Sequence, residues 1–201
     1  MSKKSTSRRG FLRGAGLTTA GLALAPHLKA SAPAPAPDDF VGPNKVDVTL
    51  NVNGQTRTAT IEARTTLAET LREELGLTGT KIVCDRGSCS CCTVHIDGEP
   101  VCSCLTLALD AEGKEVRTIE GLAEADGTLH PVQEAFIAHD ASMCGFCTPG
   151  MLMSSAKLLE DNPSPDLDEI KQALSGNLCR CGTYPKVFTA VQDAARAARK
   201  R

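Results

Sequence analysis

Ten cysteines fall in two tight groups, and no other feature restricts the fold of this 201-residue chain as strongly. The first group is CDRGSCSCCTV, running from Cys84 to Val94, with Cys102 and Cys104 close behind; the second is Cys144 with Cys147 and Cys179 with Cys181. Cysteine is kept for its reactivity more than for its bulk, so thiols this dense must hold something. Cys84, Cys89, Cys92 and Cys104 fit C-x4-C-x2-C followed by a distant fourth cysteine, the spacing of plant-type [2Fe–2S] sites. Such a cluster needs thiolates arriving from several directions. An irregular loop can arrange that, and a helix or strand cannot. Gly87 frees the backbone to wrap closely and to aim N–H groups at anionic sulfur.

The second group reads CGFC and CRC. Residues two apart on a helix point away from each other, so Cys179 and Cys181 belong on a loop. Both pairs precede expected helices, whose N-terminal N–H groups favour an anionic site. Taken alone, this group also suits zinc, which takes four thiolates in C-x2-C pairs. Disulfides would suit an exported chain, but adjacent Cys91 and Cys92 are poor partners for a regular framework. A thioredoxin-like C-x-x-C would need a βαβ context, whereas Cys144 and Cys147 sit among helical patterns. His95, His130 and His139 form no C-x-H pair of the Rieske kind and read as ordinary core or surface residues.

Around the cysteines, two hydrophobic periods divide the chain. Val46, Val48, Leu50 and Val52 alternate with polar residues, Asn53-Gly54 offers a tight turn, and a strand returns through Ile61. Thr66 and Glu69 form a capping box that predicts a helix over residues 66–75, stopped by Gly76. A second hairpin turns at Asp97-Gly98, and Val116–Ile119 reads as a further strand. This makes residues 44–120 a small α+β domain. From residue 121 to 201 the period becomes 3.6. Helices are expected from Pro131, from Thr148 as N-cap with Pro149 behind it, from Asp166 with Glu169, and from Pro185. Four short helices with short connections predict a compact all-α domain.

The first 30 residues carry six basic residues and no acidic one, which leaves the rest with 16 basic against 24 acidic, a formal −8. With aromatics at only 3%, that balance argues against a nucleic-acid partner. Ser7–Arg13, SRRGFLR, precedes a mildly apolar segment from Gly14 to Ala25 that is too short to span a bilayer as a helix. Residues 1–30 are therefore expected to be an export signal of the twin-arginine type, delivering the protein to the periplasm, with small residues near Ala30 and Ala32 for cleavage. Residues 31–43 alternate Ala and Pro and read as a stiff, extended linker.

CDRGSCSCCTVHIDGEPVCSC, HDASMCGFCTPG and SGNLCRCGTYPKV together resemble the iron–sulfur subunit of molybdenum hydroxylases, the xanthine dehydrogenase and aldehyde oxidoreductase family, over roughly residues 45–195. The resemblance implies a ferredoxin-like β-grasp domain followed by a four-helix domain, each with one [2Fe–2S] cluster. Cys84, Cys89, Cys92 and Cys104 would hold the first, and Cys144, Cys147, Cys179 and Cys181 the second. It implies a large partner subunit holding molybdopterin, with electrons leaving through an FAD subunit, a cytochrome or another acceptor. Four positions depart from the family pattern, among them Val83, which like Ser90 replaces a customary Gly. Cys91 stands where Ala is usual, Ser90 where Gly is customary, and Met143 where a Gln often contacts the pterin. Cys102 precedes Cys104 by two residues, and in an extended segment both would share a face, which makes Cys102 a rival for the fourth ligand position. The expected function is an electron conduit with no substrate turnover of its own. Its rivals are a zinc-stabilised exported binding protein and a free-standing ferredoxin.

Overall fold

A computed structural model describes residues 44–199, so the expected export signal and the Ala/Pro linker lie outside the described residues. The chain opens as a hairpin, β1 Val46–Val52 and β2 Gln55–Ile61, joined through Asn53 and Gly54 at φ 54° and 72°. Two successive positive φ values are what a type I′ turn requires, and its twist matches that of the strands. Strands β3 Thr93–Ile96 and β4 Glu99–Cys102 form the second hairpin, and β5 Glu115–Arg117 completes a five-stranded sheet of order β2-β1-β5-β3-β4. β5 lies between the hairpins, parallel to β1 and antiparallel to β3. Val48, Leu50, Val52, Val94 and Val116 face inward and are fully buried with Leu67 and Leu71. The period-two pattern of β1 is thus a core face.

Two expected elements come out shorter, each for a visible reason. Thr66 and Glu69 form the capping box, with Thr66 N–H 2.9 Å from Glu69 Oε2, but regular α-helix, α1, covers only Leu67–Glu69. Thr70 Oγ1 donates back to the Thr66 carbonyl at 3.0 Å, a bond that bends helices. The turn then widens over Thr70–Glu74, with Leu75 N–H reaching the Thr70 carbonyl. The strand expected over Val116–Ile119 stops at Arg117. Thr118 N–H donates to Asn53 Oδ1 at 2.8 Å in place of a ladder partner, and Ile119–Gly121 forms a 3-10 turn.

The second half holds α2 Pro131–Ala138, α3 Thr148–Asp161, α4 Leu167–Ala173 and α5 Tyr184–Ala198. α4 starts on the expected Asp166 and Glu169 box, and α5 begins one residue before Pro185. Two caps differ from expectation. His130 caps α2 through Nδ1, which accepts from Val132 N–H, and the N-cap of α3 is Cys147, with Thr148 inside the first turn. Val132, Phe136, Met151, Ile170, Val187 and Val191 form a second core, to which Cys89, Cys91 and Leu122 also contribute. His95 on β3 is buried and donates from Nε2 to the Met153 carbonyl, tying the sheet to α3, while His139 pairs with Asp193 across α2 and α5. Mixed sheet followed by helices is the expected α+β class. No described helix is long and apolar enough to cross a membrane.

The capping box gives a direct check. Thr66→Ala should lower the unfolding free energy by about 1 kcal/mol. Chemical denaturation should show an earlier midpoint at an unchanged slope.

Candidate iron–sulfur centres

The first site is a loop from Val83 to Cys92 closed by a short turn, Ser103–Leu105, that follows β4. Gly87 at φ 69° folds the loop inward, and its N–H donates to Cys104 Sγ at 3.3 Å. A Cβ at Gly87 would press on a Leu105 methyl, and the left-handed φ at this position favours glycine. Ser103 Oγ donates to the Cys92 carbonyl at 2.7 Å and pins the turn carrying Cys104 to the end of the loop. Cys89, Cys92 and Cys104 are buried and Cys84 is partly so.

Inside this site side-chain contacts link the sulfurs, and Cys89 also meets Cys91. Cys84 interacts through its side chain with Cys89, and Cys92 with Cys104. Backbone N–H of Arg86, foremost, holds the Cys84 thiol down to about 7, with the Cys89 side chain and the amides of Ser88 and Cys89 adding to it. Burial pushes the Cys92 thiol up to about 12, although the Cys104 amide opposes it. Cys102, the rival for the fourth position, lies at the end of β4 with its sulfur 3.7 Å from Ser90 Oγ and 3.9 Å from the Gly87 carbonyl. The segment turns at Ser103–Leu105, so Cys102 and Cys104 do not share an extended face. Cys104 meets Cys92 side chain to side chain, and Cys102 packs against the same two residues.

The second site joins the loop before α3 to the loop before α5. Cys147 caps α3, and Cys179 and Cys181 lie on irregular chain ahead of Tyr184. Again the sulfurs pair, Cys144 with Cys181 and Cys147 with Cys179. The Phe146 amide, chiefly, lowers the exposed Cys144 thiol, and Cys144 in turn raises Cys181. Burial raises Cys147 to about 12. Burial also raises Cys179, but the Thr183 hydroxyl, 3.2 Å away, and the Thr183 amide outweigh it and hold that thiol at about 7. Tyr184 Oη accepts from Cys179 N–H at 2.7 Å and fixes the loop on the first turn of α5.

Among the described residues, no three Cys, His, Asp or Glu side chains gather as one metal ion would require. A single zinc needs four donors about one centre. A [2Fe–2S] cluster asks for something else: two sulfurs on each of two irons, with sulfide between. Two thiol pairs per site, ringed by amide donors, fit that group.

The two sites adjoin. A cavity of about 350 Å3 is lined by Cys89 and Cys91 from the first loop and by Cys144, Cys147, Leu178 and Cys179 from the second. Cys91 Sγ is buried there, 3.7 Å from the Cys89 carbonyl and 3.9 Å from the Leu178 carbonyl; burial, first, raises its thiol. Val83, Met143, Phe146 and Leu178 leave exposed apolar side chains around the loops. A larger cleft of about 700 Å3 lies elsewhere, among Asn53, Arg117 and Glu160, where the guanidinium and carboxylate already pair with each other.

With this geometry in place, comparison with known proteins is decisive. Residues 50–123 match the 2Fe-2S iron–sulfur cluster binding domain, and residues 118–192 match the [2Fe-2S] binding domain. The nicotine 6-hydroxylase small subunit of Paenarthrobacter nicotinovorans is 50% identical over 160 residues, covering 80% of this chain and 93% of the relative. The chain belongs to the iron–sulfur small subunits of molybdenum hydroxylases. An aldehyde oxidoreductase iron–sulfur-binding subunit from Escherichia coli K12 is 42% identical over 95% of this chain and 89% of its own length. Quinoline 2-oxidoreductase from Pseudomonas putida 86 superposes with a TM-score of 0.74 at 45% identity, over 78% of this chain and 98% of the matched one.

The thiol pairs also set how the metal-free chain responds to pH. Cys84 and Cys179, held at about 7, ionise in the folded chain before they would at their ordinary 9, so they add stability as pH rises from 7 to 9. Cys92 and Cys147, pushed to about 12, stay protonated in the fold while the unfolded chain ionises, so stability falls above pH 9. Melting temperatures of the iron-free protein should therefore peak near pH 9, and metal loading should remove the peak, since bound sulfur is already deprotonated.

Proposed function

We propose that the protein is the electron relay of a multi-subunit molybdenum hydroxylase. In this reading, residues 44–120 and 121–201 are two domains holding one [2Fe–2S] cluster each. Cys84 and Cys89 would hold one iron of the first cluster, and Cys92 and Cys104 the other. Cys144 with Cys181 and Cys147 with Cys179 would do the same for the second. The observation that carries the proposal is the gathering of eight cysteines into two adjoining sites, each within reach of backbone N–H groups. Each cluster, when bound, supplies a centre that takes up and releases one electron. The chain's own part is to hold sulfur ionised and shield it from water. Gly87 N–H on Cys104 Sγ and the Thr183 hydroxyl on Cys179 Sγ both favour the charged form, and such bonds to sulfur set a cluster's potential.

The electrons would come from a large partner subunit with molybdopterin, where the substrate is hydroxylated. They would leave to an FAD subunit, a cytochrome or another acceptor. Exposed Met143 and Phe146 beside the second site support docking of that partner there, since Met and aromatic side chains suit interface cores. Relatives named for nicotine and aldehyde support a substrate among N-heterocycles or aldehydes. The −8 balance beyond residue 30 disfavours nucleic acid.

Purified protein should contain about four irons and four sulfides per chain, with two paramagnetic signals after dithionite reduction. Cys89→Ser should abolish one signal and Cys147→Ser the other, while Cys91→Ser should abolish neither. Stoichiometric zinc in place of iron would refute the relay, and loss of a signal in Cys91→Ser would overturn the ligand assignment.

We also propose export of the folded subunit to the periplasm, supported by Arg8, Arg9 and the weakly apolar stretch behind them. Replacing both arginines with lysine should retain the assembled complex in the cytoplasm. Undiminished periplasmic activity in that double variant would count against this route.

A further inference from the structure

Asn177 is buried, and its side chain crosses from one cysteine loop to the other. Its Nδ2 donates to the Ser90 carbonyl at 3.1 Å, and the next amide, Leu178 N–H, donates to the Cys89 carbonyl at 3.1 Å. Two consecutive donors, just ahead of Cys179, thus grip two consecutive carbonyls of the first loop. Ser90 is held from its own side as well, since Thr93 Oγ1 donates to the same oxygen at 2.8 Å. Its φ of 51° lies in the left-handed region, which a residue with a side chain keeps only where its surroundings fix it. The third wall is Gly150, in the first turn of α3 after Cys147, where an added Cβ would stand 2.1 Å from the Ser90 oxygen. That one carbonyl is where the segments carrying Cys89, Cys147 and Cys179 meet.

We infer that Asn177 is a positioning residue that fixes the spacing of the two cysteine groups, and through it the spacing of the two metal centres. The inference rests on the relay reading above. An amide suits the task because Nδ2 is a donor without charge, so it adds nothing to the negative charge of the neighbouring sulfurs. The Asn177 backbone N–H, bonded to the Leu174 carbonyl at 3.0 Å, anchors the donor to the end of α4. Transfer between two centres and the magnetic coupling between them both fall steeply with distance. A seam locked at one oxygen therefore holds both constant.

The test uses the full chain with both clusters reduced by dithionite, reading iron content and the dipolar splitting between the two paramagnetic signals. Asn177→Asp keeps the shape and replaces the donor with an oxygen facing a carbonyl; Asn177→Ala removes the side chain. Both should keep the iron, change the splitting, and expose the Leu178 amide to hydrogen exchange about tenfold faster. Wild-type splitting and exchange in iron-replete variants would overturn the proposal. If either variant fails to hold its clusters, Gly150→Ala presses on the same oxygen from the opposite wall, and unchanged splitting there also overturns it. A wild-type chain without two clusters would sink the relay reading and this proposal together, whereas unchanged splitting in the variants sinks this proposal alone.

Discussion

Sulfur anions held within reach of one another repel, and the protein must oppose that repulsion with dipoles it can place at will. Peptide N–H groups are the supply, aimed at sulfur by Arg86, Gly87 and Ser88 in the first loop and by Phe146 and Thr183 in the second. Aiming them requires backbone turned out of regular structure, as the left-handed Asp85, Gly87 and Ser90 show. The regular elements serve those irregular stretches. Thr93 opposite Cys102 in the β3–β4 ladder sets Cys92 and the turn bearing Cys104 side by side. Cys147 sits at the start of α3, where unpaired amides and the helix dipole favour negative charge.

What could be read from the residues was whatever local chemistry determines. The Asn53-Gly54 and Asp97-Gly98 turns, the boxes at Thr66 and Asp166, and the alternation in β1 were all legible, because each is decided within a few residues. Thr70 was not. Its hydroxyl could face water or turn back to the Thr66 carbonyl, and burial of Thr70 in the folded chain leaves it the latter. Nor could the end of β5 be seen, since Asn53 captures Thr118 from the far end of the hairpin.

The candidate site divides the same way. Eight cysteines stood out by spacing, but which sulfur faces which depends on loops far apart in the chain. That Cys102 and Cys104 do not share one face depends on a three-residue 3-10 turn. Asn177, the bridging residue, carries no local signal beyond its place before Cys179, because both of its partners are across the seam. His130 as a cap was likewise invisible, being an uncommon residue in that position.

The parallel pairing of β1 with β5 bears on how the protein is made. Asn51 lies beside Glu115, and everything between them, including the first cysteine loop, is a closure the chain must complete before its sheet is continuous. Contacts of that sequence separation form late, after local hairpins and helices. During synthesis the first four candidate sulfurs emerge on a ribbon whose central strand has not yet been translated. They are then open to metal delivery and equally to oxidation. Arrival of β5 joins the two hairpins into one sheet and so fixes the strands that flank the first cysteine loop.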